Sequence, residues 1–219
     1  MKTTKNITAM DIISKYMDNI LTTGIHPSSI YQFCKEIQIE EANFYKYFGS
    51  FGQIESEIFD HFSKNTLLLL SKNEEFNDFD SKDKLLSYYF TLFENFTANR
   101  SYILFALDSK KSKLKALKKL NALRASFIEF VNSLEIEKLD LKQEQLQKLQ
   151  NKGLKEAYWV QFLLILKFWM EDSSASFEKT DLFIEKSVHA SFDLISTKPI
   201  KSFIDLGKFI LKEKMDFKL

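Results

Sequence analysis

The chain has 219 residues, of which 45% are apolar, and its formal net charge is +1. This composition is typical of a globular protein and excludes a disordered one, and the balanced charge excludes a general attraction to nucleic acid. With 22 Phe but only 5 Gly and 2 Pro, tight turns are scarce, which disfavours a many-stranded β architecture and predicts an all-α fold.

The first predicted helix carries an apolar stripe at helical spacing, formed by Ile12, Ile13, Tyr16, Met17, Ile20 and Leu21. Gly24 ends this helix, and either Ser28 or Ser29 begins a short second one. The inner face of the second helix is predicted from its apolar residues, Ile30, Phe33, Cys34 and Ile37.

The third predicted helix is short and ends at Gly49, with Phe44 and Phe48 four residues apart on its inner face. Ser50 then begins a long fourth helix that continues to Leu70. A long helix followed by two short ones and another long one is a helix-turn-helix arrangement, in which the second short helix lies in the DNA major groove.

The rest of the chain predicts helices only. After a polar break at 71–81, they are expected at about 82–98, 100–108, 111–133, 142–151, 154–171, 178–196 and 201–214. Gly153 is expected to separate two of them. The segment 157–170 is apolar on nearly all sides, so other parts of the structure must cover both sides of this helix. It is shorter than the roughly 20 residues that cross a membrane.

The start of the chain, MKTTKNITAMD, has no apolar core of the length found in signal peptides. Cys34 is the single cysteine, so the chain forms no internal disulfide and nothing suggests an oxidising compartment. We therefore expect a cytoplasmic protein that has no membrane association.

Residues 7–59 carry a set of motifs at the predicted helix ends. A Gly ends the first helix, a Ser pair opens the second, and an aromatic motif followed by Ser forms the third. The residues that match it are Gly24, Ser28–Ser29, Phe44–Tyr45–Lys46–Tyr47–Phe48 and Ser50. This segment resembles the TetR family of bacterial transcription regulators. The remainder is similar to that family in helix number, length and order, and WMEDSS, FEKTDLFIEKSV and DLGKF resemble a subgroup common in Bacteroidetes.

The resemblance implies a helix-turn-helix DNA-binding domain over 1–50 and a helical effector-binding and dimerisation domain over 51–219, connected by a helix at 51–70. It further implies a transcription regulator, a repressor, that binds a pseudo-palindromic operator and responds to an apolar small molecule. The partner would be a second copy of the chain, bound through the helices at about 154–171 and 178–196. No cofactor or metal is expected.

The resemblance also assigns residues to DNA. Tyr45 and Lys46 would contact backbone phosphates, and Asn43 is the candidate for a base edge, because an amide pairs bidentately with adenine. The whole predicted DNA-binding set is Ser28, Ser29, Tyr31, Lys35, Asn43, Tyr45, Lys46 and Tyr47. For Tyr45 and Tyr47 the alternative is core packing, and for Lys46 it is a lysine that is simply solvated.

The chain departs from the family pattern in the turn between the two short helices. Gln38 occupies a position where the family usually has Gly, and Glu40–Glu41 stand where a Ser-Lys pair is usual. Phe51 likewise replaces a common Lys. Residues 1–65 hold six Lys and eight acidic residues, so this end of the chain has fewer of the positive charges that drive phosphate binding.

Aromatic residues are concentrated in the middle of the chain. Those predicted to line an effector pocket are Tyr88, Tyr89, Phe93, Phe105, Phe127 and Phe162; ordinary core packing is the alternative. The lysine run at 110–119 is the densest basic patch. It is interpreted either as a site for an acidic ligand or as the solvated face of a helix whose apolar side is Leu114, Leu117 and Leu120.

No catalytic motif supports an enzyme. His26, His61 and His189 are scattered, without the spacing of metal ligands. The alternative to a regulator is a ligand- or protein-binding helical dimer that kept the fold while its DNA binding weakened or was lost, an interpretation that Glu40 and Glu41 motivate.

Overall fold

A computed structural model describes residues 7–107, 113–136 and 144–196. Within these ranges the chain forms helices and no strand, which confirms the predicted all-α fold. The α-helices are α1 Ala9–Thr23, α2 Ile30–Glu36, α3 Glu41–Tyr45, α4 Phe51–Ser71, α5 Ser81–Ala98, α6 Arg100–Ala106, α7 Lys113–Lys119, α8 Asn121–Ser133, α9 Glu144–Glu171 and α10 Glu178–Ser196. Two short 3₁₀ helices lie at Glu74–Asp78 and Ala175–Phe177.

Local sequence explains both ends of α1. Thr8 accepts a hydrogen bond from the Asp11 amide at 3.2 Å, and the Asp11 carboxylate accepts one from the Thr8 amide at 2.9 Å. This reciprocal pair satisfies amides that the first turn leaves without partners. At the other end, Gly24 adopts a left-handed conformation with φ of 71° and donates its amide to the Ile20 carbonyl, as predicted for a glycine helix stop.

The described residues fall into two compact units. The first comprises 7–67, 92–107 and 113–126, and the second comprises 68–91, 127–136 and 144–196. No helix of the described ranges is long and apolar enough to cross a membrane.

Aromatic rings close the core of the first unit. Tyr16 of α1 stacks on Phe51 of α4 with ring centroids 5.4 Å apart. Phe33 of α2 meets Phe44 of α3 edge to face at 6.3 Å, and both contact Phe51. Phe51, which stands where the resembled family commonly has Lys, therefore has a structural role, because its ring joins α4 to the three helices before it.

The second unit is built on the pair α9 and α10, which pack against each other. Phe168 of α9 and Phe183 of α10 stack with centroids 4.6 Å apart. Between these helices the chain turns through Ser176 and Phe177, which adopt positive φ values of 51° and 59°. The turn is bound to Asp172, whose carboxylate accepts hydrogen bonds from both the amide and the hydroxyl of Thr180.

Some predicted helix boundaries were wrong. The segment 111–133 was expected as one helix, but it breaks at Leu120 into α7 and α8. No Gly or Pro marks this break. It coincides instead with tertiary contacts, because Leu120 is buried and the ammonium group of Lys119 donates to the Ala106 carbonyl of α6 at 2.8 Å. Of the predicted apolar side of α7, Leu120 is buried, whereas Leu114 and Leu117 are exposed.

Gly153 does not separate two helices either, since α9 passes through it without interruption. A glycine inside a helix costs about 1 kcal/mol relative to alanine, which a long, packed helix tolerates. The third helix is shorter than predicted and ends at Tyr45, although the turn continues through hydrogen bonds from the Tyr47 and Phe48 amides to the Phe44 carbonyl. The helix predicted at 201–214 lies outside the described residues.

Candidate nucleic-acid interface and ligand-binding cluster

The candidate DNA-contacting element is formed by α2, α3 and the turn between them. Phe33, Phe44 and Phe48 are buried, so they fix this element from inside and leave its other side to solvent. Within the turn, the Ile39 amide donates to the Cys34 carbonyl at 2.9 Å. Gln38 takes a left-handed conformation with φ of 59°, a conformation that glycine adopts without strain. The turn therefore keeps the geometry for which the family uses glycine.

Of the four residues predicted in this region, Ser28 and Ser29 precede α2, and Tyr31 and Lys35 lie on its surface. The Ser29 hydroxyl accepts from the Gln32 amide at 3.1 Å and caps the helix, while the Ser28 hydroxyl donates to the Gln32 side chain. Tyr31 has 64% of its surface exposed, and Lys35 is also exposed. Both long side chains are accessible to an approaching phosphate, whereas Ser29 is engaged with its own helix.

Of the predicted residues of α3 and the following turn, Tyr45, Lys46 and Tyr47 are exposed and Asn43 is half-buried. Tyr45 is 54% exposed and Tyr47 is 42% exposed, so neither of these tyrosines is a core residue. The Lys46 ammonium group donates to the Asn43 side-chain oxygen at 2.9 Å, and the Tyr47 hydroxyl donates to the Ile7 carbonyl at 3.0 Å. Asn43 and Lys46 would have to exchange this bond for bonds to DNA.

Two carboxylates open α3. Glu40 is the N-terminal capping residue but makes no capping hydrogen bond with its side chain, and Glu41 lies in the first turn. A carboxylate at this end of a helix stabilises it by roughly 0.3–1 kcal/mol, although next to a phosphate the same charge is repulsive. Burial, and secondarily the charge of Glu41, raises the pKa of the Cys34 thiol.

The predicted ligand-pocket residues fall in both units. Tyr88, Tyr89, Phe127 and Phe162 lie in the second unit, where Phe127 contacts the other three rings at centroid distances of 5.5–5.8 Å. Phe130 and Trp159 complete this aromatic cluster by stacking on Tyr88 and Phe162, respectively. Phe93 and Phe105 belong to the first unit, where they contact Phe96 and His26, respectively.

Gln161 is a residue of this region that sequence patterns did not single out. Its side-chain oxygen lies 3.4 Å from the Tyr89 hydroxyl, and its amide nitrogen donates to the Ser187 carbonyl at 2.8 Å. Burial raises the pKa of Tyr89 well above its ordinary value, so the hydroxyl is protonated and available as the donor. A glutamine within an apolar run is the signal that could have drawn attention to it.

An open groove of about 620 Å³ runs along α9 and α10. Its lining residues are Gly153, Glu156, Ala157, Val160, Gln161, Leu164, Phe183, Ser187 and Ala190. Seven of these nine residues are spaced at alternating intervals of four and three, as 153, 157, 160 and 164 on α9 and 183, 187 and 190 on α10. This spacing is that of helices packed at about +20° in bundles.

Residues 84–210 match the family model described as Tetracyclin repressor-like, C-terminal domain. The chain belongs to the TetR family. The match covers more than half of the chain, from within α5 through α10. No match to a curated protein was found.

Two parts of this TetR-family chain are thus supported by different observations. The family match includes the aromatic cluster, built from α5, α8 and α9, and the groove along α9 and α10. The helix-turn-helix of α2 and α3 precedes the matched residues, and it is supported by its sequence pattern together with the observed order of short helices and the left-handed turn. The Bacteroidetes-type subgroup stays a prediction.

Proposed function

We propose that the protein is a homodimeric DNA-binding transcription regulator, a repressor, controlled by an apolar small-molecule effector. The observation that carries the proposal is the outward placement of Tyr31, Tyr45 and Lys46 on a helix-turn-helix whose inner face is closed by phenylalanines. Residues 1–50 would form the DNA-binding domain, and 51–219 the effector-binding and dimerisation domain.

The dimer would form through the groove face of α9 and α10. Val160, Leu164, Leu182 and Leu194 are each more than half exposed, and a second copy of the chain would remove them from water. The repeat of small and large residues at intervals of four and three favours a four-helix bundle in the dimer. The two copies of α3 would then meet half-sites about one helical turn apart on a pseudo-palindromic operator.

The aromatic cluster supports an apolar effector. Tyr88, Phe127 and Phe162 are fully buried, so an apolar effector would have to enter the core between these rings. An effector that binds one arrangement of the dimer more tightly would shift the population toward it. Regulation then follows from a change in the separation of the two DNA-contacting elements. The proposal places the protein in the cytoplasm, with the operator.

The test is binding of the full-length chain to the DNA upstream of its own gene, titrated against salt. A substitution that removes one phosphate-binding cation should reduce the slope of log K against log salt by about 1. Lys46→Ala should weaken binding and reduce the slope, and Tyr45→Phe should weaken it without unfolding the chain. Lys72→Ala, which removes an exposed lysine after α4, is the control and should leave binding unchanged.

A second candidate function is a helical dimer that binds a ligand or a protein but not DNA. The carboxylates of Glu40 and Glu41 at the start of α3 favour it, because they oppose phosphate binding. If the wild-type chain shows no preference for its upstream DNA over random DNA at low salt, this second function is the better one. If Glu41→Lys instead strengthens a specific complex, repulsion at this turn merely limits a genuine regulator.

A further inference from the structure

A buried carboxylate connects several helices of the first unit. Glu55 lies in the second turn of α4 and is 8% exposed. One of its oxygens, Oε1, is 2.9 Å from the Lys119 ammonium group, 3.4 Å from the Tyr16 hydroxyl and 3.5 Å from Nδ1 of His26. These partners belong to the end of α7, to α1 and to the α1–α2 turn. Four segments of the chain therefore meet at a single oxygen.

The same contacts reach a fifth element, α6. The Lys119 ammonium group also donates to the carbonyl of Ala106, the last residue of α6. The His26 ring lies against Phe105 with centroids 4.9 Å apart. Burial, together with the charge and the hydrogen bond of Glu55, raises the pKa of Tyr16 well above its ordinary value. The tyrosine hydroxyl is therefore protonated at neutral pH and donates to the Glu55 carboxylate.

Buried ion pairs are weak contributors to stability, because desolvation opposes their attraction. What they supply that apolar contacts lack is direction: hydrogen bonds and ion pairs have short, fixed distances, whereas apolar surfaces can slide. Here the short bonds of Lys119 tie the start of α4 to the ends of α6 and α7, and a longer contact of 3.4 Å from Tyr16 adds α1. Both α1 and α4 pack on the aromatic core that holds α2 and α3.

We propose that Glu55 is a positioning residue for operator binding, and that with Lys119 it fixes α1 and α4 at the setting in which α2 and α3 fit DNA. The proposal rests on the proposed DNA-binding function. Glu55 itself lies inside the unit and touches no DNA; it acts through the helices that it joins.

The test compares three variants of the full-length chain: Glu55→Gln, Lys119→Met and the two combined. Each single substitution leaves one polar or charged partner buried without its counterpart, so both should destabilise the fold, and the double variant should regain much of that stability. Operator affinity should fall at least tenfold in all three, the double variant included, at an unchanged salt slope. A merely structural pair would instead show affinity that recovers together with stability.

Asp60→Asn is the matched control. Asp60 is also a buried carboxylate of α4, but it is held by Lys64 one turn further along α4 and by Ser126 of α8. Its replacement should lower stability and leave operator affinity within twofold of the wild type. Equal decreases of affinity in Asp60→Asn and Glu55→Gln, or recovery of affinity in the double variant, would overturn the positioning role.

Amide hydrogen exchange separates this proposal from the proposed function. In Glu55→Gln, the amides of α1 and α6 should exchange faster than in Asp60→Asn under conditions of equal global stability. Uniform exchange in the two variants would refute the connection. If the wild-type chain fails to bind DNA while the exchange difference is present, the link among these helices stands and only its operator role falls with the proposed function.

Discussion

Gln38 adopts a left-handed backbone conformation that a residue with a Cβ atom disfavours. The turn between α2 and α3 needs a residue with φ of 59° at this position. Such a conformation costs a residue with a Cβ roughly 1–2 kcal/mol, and glycine avoids that cost at the expense of a more flexible unfolded chain. The family's usual glycine is thus explained by backbone geometry, and its absence here leaves strain in the turn.

Gln38→Gly should therefore stabilise the protein by about 0.5–1 kcal/mol, the net of released strain and added unfolded-state entropy. The measurement is a urea unfolding curve at a fixed protein concentration. Gln38→Ala is the control, because it removes the exposed side chain and keeps the Cβ, and it should bring no gain. If the alanine variant gains as much as the glycine variant, strain at this position is not the cause.

At the scale of elements, Asp172 explains why α9 and α10 meet through an irregular turn. Its carboxylate accepts from the amides and hydroxyls of Ser174 and Thr180 at 2.7–3.0 Å. Burial raises the pKa of this carboxyl, but the hydrogen bonds outweigh burial and hold it well below its ordinary value. The ionised carboxylate thus caps the first turn of α10 by accepting from the Thr180 amide, while the Ser174 hydroxyl accepts from the Lys179 amide.

A carboxyl whose pKa is lower in the folded state stabilises that state fully above its unfolded pKa. The contribution decreases as the pH falls below that value and is lost as the pH falls through the folded pKa. Asp172→Asn should lower the thermal midpoint by several degrees at pH 7, and the difference from the wild type should shrink below about pH 4. Differential scanning calorimetry at stepped pH measures it.

The pKa of Asp181, in the same region, is shifted in the opposite direction. Burial, and then the charge of Asp172, raise the pKa of its carboxyl. Asp181→Asn should therefore leave the midpoint at pH 7 unchanged or slightly higher. A pH-independent destabilisation in Asp172→Asn would show that altered packing, and not the carboxylate charge, is responsible.

For the whole molecule, the groove face of α9 and α10 is the surface that a second copy would cover. Leu164 is 55% exposed there, and a carboxylate in its place would be buried without a partner in the dimer. Such burial costs roughly 3 kcal/mol per ion, and twofold symmetry repeats it. Leu164→Glu should raise the dimer dissociation constant on the order of a thousandfold or more.

Sedimentation velocity at micromolar concentration measures this change. Leu68→Glu is the matched control, since Leu68 of α4 has the same 55% exposure and lies outside the groove; it should remain dimeric. A monomeric wild type, or a Leu164→Glu variant that sediments as a dimer, would remove the groove from the proposed interface.

Local sequence determined much of the helix pattern. Gly24 and the Ser29 cap set the limits of α1 and α2 because a left-handed stop and a hydroxyl cap act within a few residues. The buried partners Phe33 and Phe44 followed from helical spacing for the same reason. The identification of the family also rested on such short-range patterns, and the family match supports it.

What only the tertiary structure decided involves residues that are distant in sequence. The break at Leu120 and the inward turn of Lys119 have no local signal, because they depend on Glu55 and Ala106. The count of acidic and basic residues over 1–65 likewise leaves out Lys119, which lies outside that range and neutralises Glu55. Helix ends and faces are local properties, whereas the partner of a buried charge is set by the packing of distant helices, which no short stretch of sequence contains.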